Sequence, residues 1–188
     1  MRARAEAAAE TRGRILRAVL ELHVERFHDQ ITLEEIARRA GVSVQTVLRQ
    51  FGTRERLVSA AAELATREVI EQRSAAPVGD IEGAVENLLE HYEEWGRSAL
   101  RLLAQEERFP QLRTVADAGR AAHYEWVERT FGPFLAETSD PFLRPKLTAL
   151  TDVFIWKLLR LDLGLDRAET GPALAGMIRA VVHDGRRT

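Results

Sequence analysis

Residues 32–56 read TLEEIARRAGVSVQTVLRQFGTRER, and this stretch decides the fold. Thr32 lies three residues before Glu35, the spacing at which a hydroxyl and a carboxylate cap a helix start reciprocally. Leu33, Ile36 and Ala37 then recur at helical spacing. Ala40-Gly41 closes this helix after about two turns, because glycine accepts the left-handed backbone that a helix end often needs. Ser43 offers a strong N-cap to a second helix over residues 44–51, where Val47 and Phe51 lie four apart on one face. The opposite face carries Gln45, Thr46, Arg49 and Gln50. Two short helices around a tight glycine-containing turn form a helix-turn-helix. The second helix would hide its apolar side and present amides, a hydroxyl and a guanidinium, groups that hydrogen-bond base edges and phosphates in a DNA major groove.

A pattern this short also suits a plain helical hairpin with a solvated face, so its surroundings matter. ITLEEIARRAGVS followed by RQFGTRERL resembles the signature of the tetracycline-repressor (TetR) family of transcriptional regulators. The likeness is detailed over about residues 10–60 and architectural beyond them. It implies an all-α protein with a three-helix helix-turn-helix head at residues 1–56 and a helical effector-binding and dimerisation body at residues 57–188. It also places Arg54 where the family commonly has a lysine on DNA phosphate. Val44, Gln45, Thr46 and Arg49 are the candidates for base-edge contact. Thr32, Ser43, Gln50 and Arg54 are the candidates for phosphate anchors, helped by backbone N–H groups at the helix starts. Two departures stand out. Leu48 replaces a tyrosine that touches phosphate in the family, and His23, Phe27 and His28 replace an aromatic-glycine-aromatic pattern after the first helix.

Composition sets the frame for this reading. A length of 188 residues, 45% hydrophobic and 30% charged, suits one or two globular domains with a real core. Cysteine is absent, which removes disulfides and thiolate metal sites. The opening MRARAEAAAE has no apolar core of a secretory signal, and no apolar run reaches the ~20 residues of a membrane span. The expected location is cytoplasmic. The net charge of −2 is unevenly divided: residues 1–56 carry 11 Arg against 8 Asp and Glu, while the remainder carries 16 Lys and Arg against 21 acidic residues. A basic end on an acidic body favours docking to a polyanion at that end. Composition bias toward arginine accounts for much of the excess, so the charge supports the motif and does not replace it.

Along the chain, residues 1–10 read as a polar, Ala-rich tail whose Arg2 and Arg4 would reach a minor groove only if it acted as an arm. A first helix is expected over residues 11–27, with Ile15, Leu16, Val19, Leu20 and Leu22 as its buried stripe. Thr53 caps a fourth helix to about residue 74, carrying Leu57, Ala61, Leu64 and Ile70; residues 75–79 break the pattern. Asp80 starts a helix that Gly96 is expected to interrupt. Another runs over about residues 111–134 and a further one over residues 141–162. Asp166 and Glu169 then repeat the capping-box spacing at the last helix.

The body carries an aromatic and imidazole group suited to a small-molecule pocket, which is mostly apolar with a few orienting polar groups. Tyr92 and Trp95 share one helix, His123, Trp126 and Thr130 another, and Phe154 and Leu158 a third; these seven are the candidate effector contacts. Each on its own is more often core than a ligand contact. The segment VFIWKLL, residues 153–159, is apolar nearly all round and needs cover on two sides. Ile155, Leu159, Leu174, Ile178 and Val182 are therefore expected at a homodimeric four-helix bundle.

The function that follows is a one-component regulator of the TetR type, a repressor that binds palindromic operator DNA as a homodimer. Half-sites would lie about one helical turn or a multiple apart, and an effector would favour one of two spacings between the heads. No cofactor is expected. Rival readings are an activator or nucleoid-type protein without effector control, and a helical ligand-binding protein with a weak DNA head. An enzyme is disfavoured. Glu25-Arg26-Phe27-His28 is one Glu-x-x-His motif without the second that a di-iron bundle needs, the five histidines lack zinc-site spacing, and phosphate loops and nucleophile elbows are missing.

Overall fold

The structure is a computed structural model and describes residues 2–185, with side chains from residue 5 onward. Among the described residues every regular element is helical. The chain divides into two compact units. Unit 1 comprises Met1–Glu68 and Arg101–Ala116; unit 2 comprises Val69–Leu100 and Asp117–Thr188. Cuts between the units fall after residues 68, 100 and 116, and a returning segment joins the first unit.

Unit 1 is built on α1 (Arg2–Glu25), α2 (Leu33–Ala40), α3 (Val44–Phe51) and the first part of α4 (Arg54–Ser74). Helix α1 begins about three turns before the expected position, since the run Ala7-Ala8-Ala9 has the strongest intrinsic helix preference. The side chains of Arg2 and Arg4 lie outside the described residues. Helix α1 ends at Glu25, earlier than expected, and residues His28–Gln30 form a 3-10 turn. Ile15, Val19, Leu22, Ile36, Val47 and Leu57 are nearly solvent-free and form one cluster. Burying such side chains supplies roughly 1.5–3 kcal/mol each.

The returning segment is the end of α5 (Ile81–Leu103) and the start of α6 (Pro110–Thr130). It fastens to the turn after α1. Arg101 donates to the Glu25 carbonyl at 2.7 Å, the His28 N–H donates to Gln105 Oε1 at 2.9 Å, and Arg108 pairs with Asp29 at 2.8 Å. His28 is 1% exposed and its ring packs on Phe109 at 5.0 Å. Burial and the nearby Arg54 charge lower its pKa to about 4, so the ring is neutral at pH 7.

Unit 2 contains the remainder of α4, α5 and α6, then α7 (Gly132–Glu137), α8 (Leu143–Leu150), α9 (Val153–Lys157) and α10 (Arg167–Asp184). Gly96 does not interrupt α5. A Cβ there would meet the Trp156 ring at 2.6 Å, so glycine serves close packing. Helix α6 stops at Thr130, and Phe131, fully buried, turns the chain into α7. The stretch expected as one helix over residues 141–162 is three pieces. Asp152 accepts from the Phe154 N–H at 2.9 Å and restarts the helix as α9, which runs into a π turn at Leu158–Asp162. The Asp166/Glu169 capping box forms as expected. Ile70 lies outside the buried stripe, exposed.

The candidate dimer residues divide by burial. Leu174, Ile178 and Val182 are buried within the single chain, where α10 packs against α8. Leu159 is likewise buried and Ile155 half-buried. The large apolar side chains left open on this segment are Phe154 at 57%, Leu158 at 45% and Leu163 at 62% exposure.

Candidate nucleic-acid interface and ligand site

The helix-turn-helix is assembled by its caps. Thr32 accepts from the Glu35 N–H at 3.2 Å, and Glu35 accepts from the Thr32 N–H at 3.2 Å. This bonding to the Thr32 N–H holds the Glu35 carboxyl below its usual range. Gly41 sits at φ 67°, ψ 39°, a conformation costly for any residue with a Cβ. Ser43 then accepts from the Thr46 N–H at 3.1 Å, and its hydroxyl meets that of Thr46 at 3.0 Å. Helix α3 buries Val47 and Phe51. Its outer face shows Gln45, Leu48 and Arg49 exposed, with Val44, Thr46 and Gln50 half-buried beside them. Thr32 and Ser43 are exposed but spend their side chains on capping. Leu48 is 40% exposed, an apolar patch in a polar surface.

Arg12 stacks on Phe51 at 4.3 Å and its NH1 lies 3.5 Å from the Gln50 carbonyl, placing positive charge at the negative end of α3. Other arginines of the unit are tied down. Arg17 pairs with Glu68, Arg26 with Glu35, and Arg39 forks onto Glu25 and Glu21. Arg14, Arg38, Arg49 and Arg56 are exposed and enter no ion pair among the described residues.

Arg54 departs from its expected role as a phosphate anchor. Its guanidinium turns inward and donates to the carbonyls of His28 at 2.7 Å and Ile31 at 3.1 Å, and to His28 Nε2 at 3.3 Å. Those carbonyls belong to the irregular turn after α1, where the His28 carbonyl has only a long backbone bond from the Ile31 N–H at 3.4 Å. The longer fork of arginine reaches two acceptors that a lysine would serve less completely.

In unit 2 the structure brings together four of the candidate effector residues. His123 and Trp126 stack at 6.1 Å, Tyr92 donates to the Thr151 carbonyl at 2.9 Å, and Thr130 is fully buried one turn along from Trp126. Trp95 is half-buried with no ring contact among the described residues. Phe154 and Leu158 lie on the surface, away from this interior.

Sequence reasoning missed the residue at the centre. Arg73, 5% exposed, places its guanidinium over the Trp126 ring at 4.2 Å and 6.0 Å from the Tyr92 centroid, and donates to His123 Nδ1 at 3.2 Å. The signal was present. Leu57, Ala61, Ala65, Val69 and Arg73 follow at intervals of four, so the arginine ends an apolar stripe. His123 Nε2 donates to the Thr148 carbonyl at 3.2 Å, which leaves Nδ1 as the acceptor for Arg73. Burial and the Arg73 charge lower the His123 pKa to about 4 and that of the buried His91 to about 3. Burial raises the Tyr92 phenol to about 12. All three are uncharged near neutrality.

The folded head is a helix-turn-helix with an exposed polar second helix. Residues 15–61 match the family model of bacterial regulatory proteins, tetR family. The head is therefore similar to the DNA-binding region of the TetR family of transcriptional regulators, and the match covers residues 15–61 of the chain. Over 43 residues the chain is 56% identical to an uncharacterized HTH-type transcriptional regulator of Mycobacterium tuberculosis, a match that spans 23% of this chain and 23% of that protein's length. In fold it resembles a TetR-family regulator from Streptomyces coelicolor at a TM-score of 0.72 and 21% identity, covering 95% of this chain and 83% of the other. It also resembles the multidrug binding protein EbrR complexed with imidazole, at a TM-score of 0.53 and 25% identity, covering 89% of each chain. Among the described residues no helix is long and apolar enough to cross a membrane, and no group of three or more His, Asp or Glu is placed to hold a metal ion.

Proposed function

We propose that this protein is a cytoplasmic one-component repressor that binds pseudo-palindromic operator DNA as a homodimer and is released by a small-molecule effector held in unit 2. The observation that carries the reading is the outer face of α3. It sits on a doubly capped, well-packed turn and leaves Gln45 and Arg49 without internal partners among the described residues. Val44, Thr46 and Gln50 flank them as further base-edge or phosphate contacts, with Thr32 and Ser43 contributing through the N–H groups they orient. Arg14, Arg38 and Arg56 supply positive charge in place of Arg54. The second copy covers Phe154, Leu158 and Leu163, an exposed apolar run that a solitary chain would leave in water. No catalytic role or cofactor belongs to this reading.

Selection of bound fragments from random double-stranded DNA tests the core of it. The expected product is an inverted repeat. Arg49→Ala should cost roughly 1–3 kcal/mol in operator affinity and relax the preference at one position of each half-site. Uniform weakening across all sequences would make Arg49 a phosphate anchor instead, and no binding to any duplex at low salt would refute the function.

A further inference from the structure

Arg73 poses a chemical problem that unit 2 does not solve internally. A guanidinium stays protonated in proteins, and a buried charge is costly unless it is paired. Among the described residues no carboxylate oxygen lies within 4.0 Å of it. Its polar partners are the neutral ring of His123 and the neutral phenol of Tyr92, and its Nε makes no hydrogen bond. A second cation adds to the imbalance, since Arg129 donates to the backbone carbonyls of Arg73 and Ser74, both at 2.7 Å. The same interior holds other buried polar atoms without partners: Trp126 Nε1, Thr130 Oγ1 and His91 Nδ1. Trp126 Nε1 can act only as a donor and Thr130 Oγ1 can be one. A cation with spare donors around it, and no anion, is the complement of a negatively charged group.

We infer that unit 2 binds a small organic monocarboxylate, its carboxylate on the Arg73 guanidinium and its apolar or aromatic body among Tyr92, His123 and Trp126. This rests on the effector reading above and names the chemical class of that effector. A planar carboxylate matches the two-pronged edge of a guanidinium, of which Nε–H is open. One negative charge balances the one buried guanidinium, whereas a phosphate dianion would bring a second charge into an apolar interior. The aromatic walls favour a ligand with a hydrophobic body. The imidazoles, held neutral, neither compete for the anion nor repel the guanidinium.

The test uses the full-length protein in a chloride buffer of fixed ionic strength. Benzoate, phenylacetate, 4-hydroxybenzoate and octanoate are each compared with the corresponding amide, by melting temperature and by quenching of tryptophan fluorescence. At least one carboxylate should raise the melting temperature saturably and bind about tenfold or more tighter than its amide. Arg73→Met, which keeps length and removes charge, should abolish that preference while melting no lower than the parent. Arg73→Lys, which keeps charge and loses the fork, should retain the preference with weaker binding. Equal response to acid and amide, an unchanged response in Arg73→Met, or no response to any of the four acids overturns the inference. Operator binding by gel shift is read separately. Loss of DNA binding altogether would refute the regulatory function and leave the carboxylate result standing, while carboxylate binding that leaves operator affinity unchanged would confirm the site and refute its role as effector.

Discussion

Acidification from pH 7 to pH 5 should destabilise this protein substantially, and buried imidazoles set the size of the loss, with His23 shifted in the same direction as the three largest cases. His28 and His123 have folded pKa values of about 4 and His91 of about 3, against 6.5 for an unperturbed histidine. Each is neutral in the fold and binds a proton on unfolding below pH 6.5. The folded values are depressed, so the stabilisation is complete above pH 6.5 and drains as the pH falls toward 4. At pH 5 the unfolded chain gains about 1.5 pH units of protonation per ring, or about 2 kcal/mol each. Three rings give about 6 kcal/mol, comparable with the whole stability of a typical domain. The carboxylates held low by their partners, Glu25, Glu35, Glu93 and Asp140, lose stabilisation only below their ordinary values near 4, so the window between pH 6.5 and 5 belongs to histidine. Urea unfolding followed by circular dichroism at half-unit intervals would show a slope approaching three protons. His28→Gln should lower that slope by about one proton, the share of one imidazole. Stability that agrees within about 1 kcal/mol at pH 7 and pH 5 would refute the claim that these rings are buried uncharged.

Other perturbations probe single contacts. Arg54→Ala should cost about 2–3 kcal/mol in unfolding free energy by leaving the Ile31 carbonyl without this donor and the His28 carbonyl with only the long bond from the Ile31 N–H; a cost below about 0.5 kcal/mol would show that water replaces the guanidinium. Phe154→Glu or Leu158→Glu should halve the mass measured by light scattering and leave the melting curve of the chain nearly intact, because both side chains are exposed in the single chain; an unaltered dimer mass would move the interface elsewhere. Val182→Glu, by contrast, should unfold the protein, since that side chain is already buried without a partner copy. Gly96→Ala should destabilise by roughly 1–3 kcal/mol through overpacking against Trp156, read by thermal melting with Gly119→Ala, where a Cβ meets nothing, as the control.

The head was legible because its information is local. Thr32 with Glu35, Gly41 and Ser43 each fix a helix end through bonds three residues long, and all of them formed. What escaped is set by distant partners. His28 and Arg54 look like surface polar residues until residues 101–116 close over the turn between them. Gly96 reads as a breaker when the Trp156 ring that requires it lies sixty positions on. The apolar segment at residues 153–159 buries Val153, Trp156 and Leu159 and leaves Phe154 and Leu158 exposed, a division that periodicity does not give because Asp152 and the π turn interrupt a helix it treats as continuous. Arg73 was overlooked for the opposite reason: it obeyed the apolar spacing while its chemistry did not.

The fastening of Gln105 and Arg108 onto the turn at His28 and Asp29 makes the head discontinuous in the gene product. A nascent chain emerging from the ribosome can wind its first helices early, yet the latch arrives about 40 residues after the head's own sequence has left the tunnel, several seconds at ordinary translation rates. Until then the His28 imidazole stays wet and titratable. Excising the first 68 residues as a portable DNA reader would leave that gap permanently open, whereas grafting the returning strip back through a short linker should restore it.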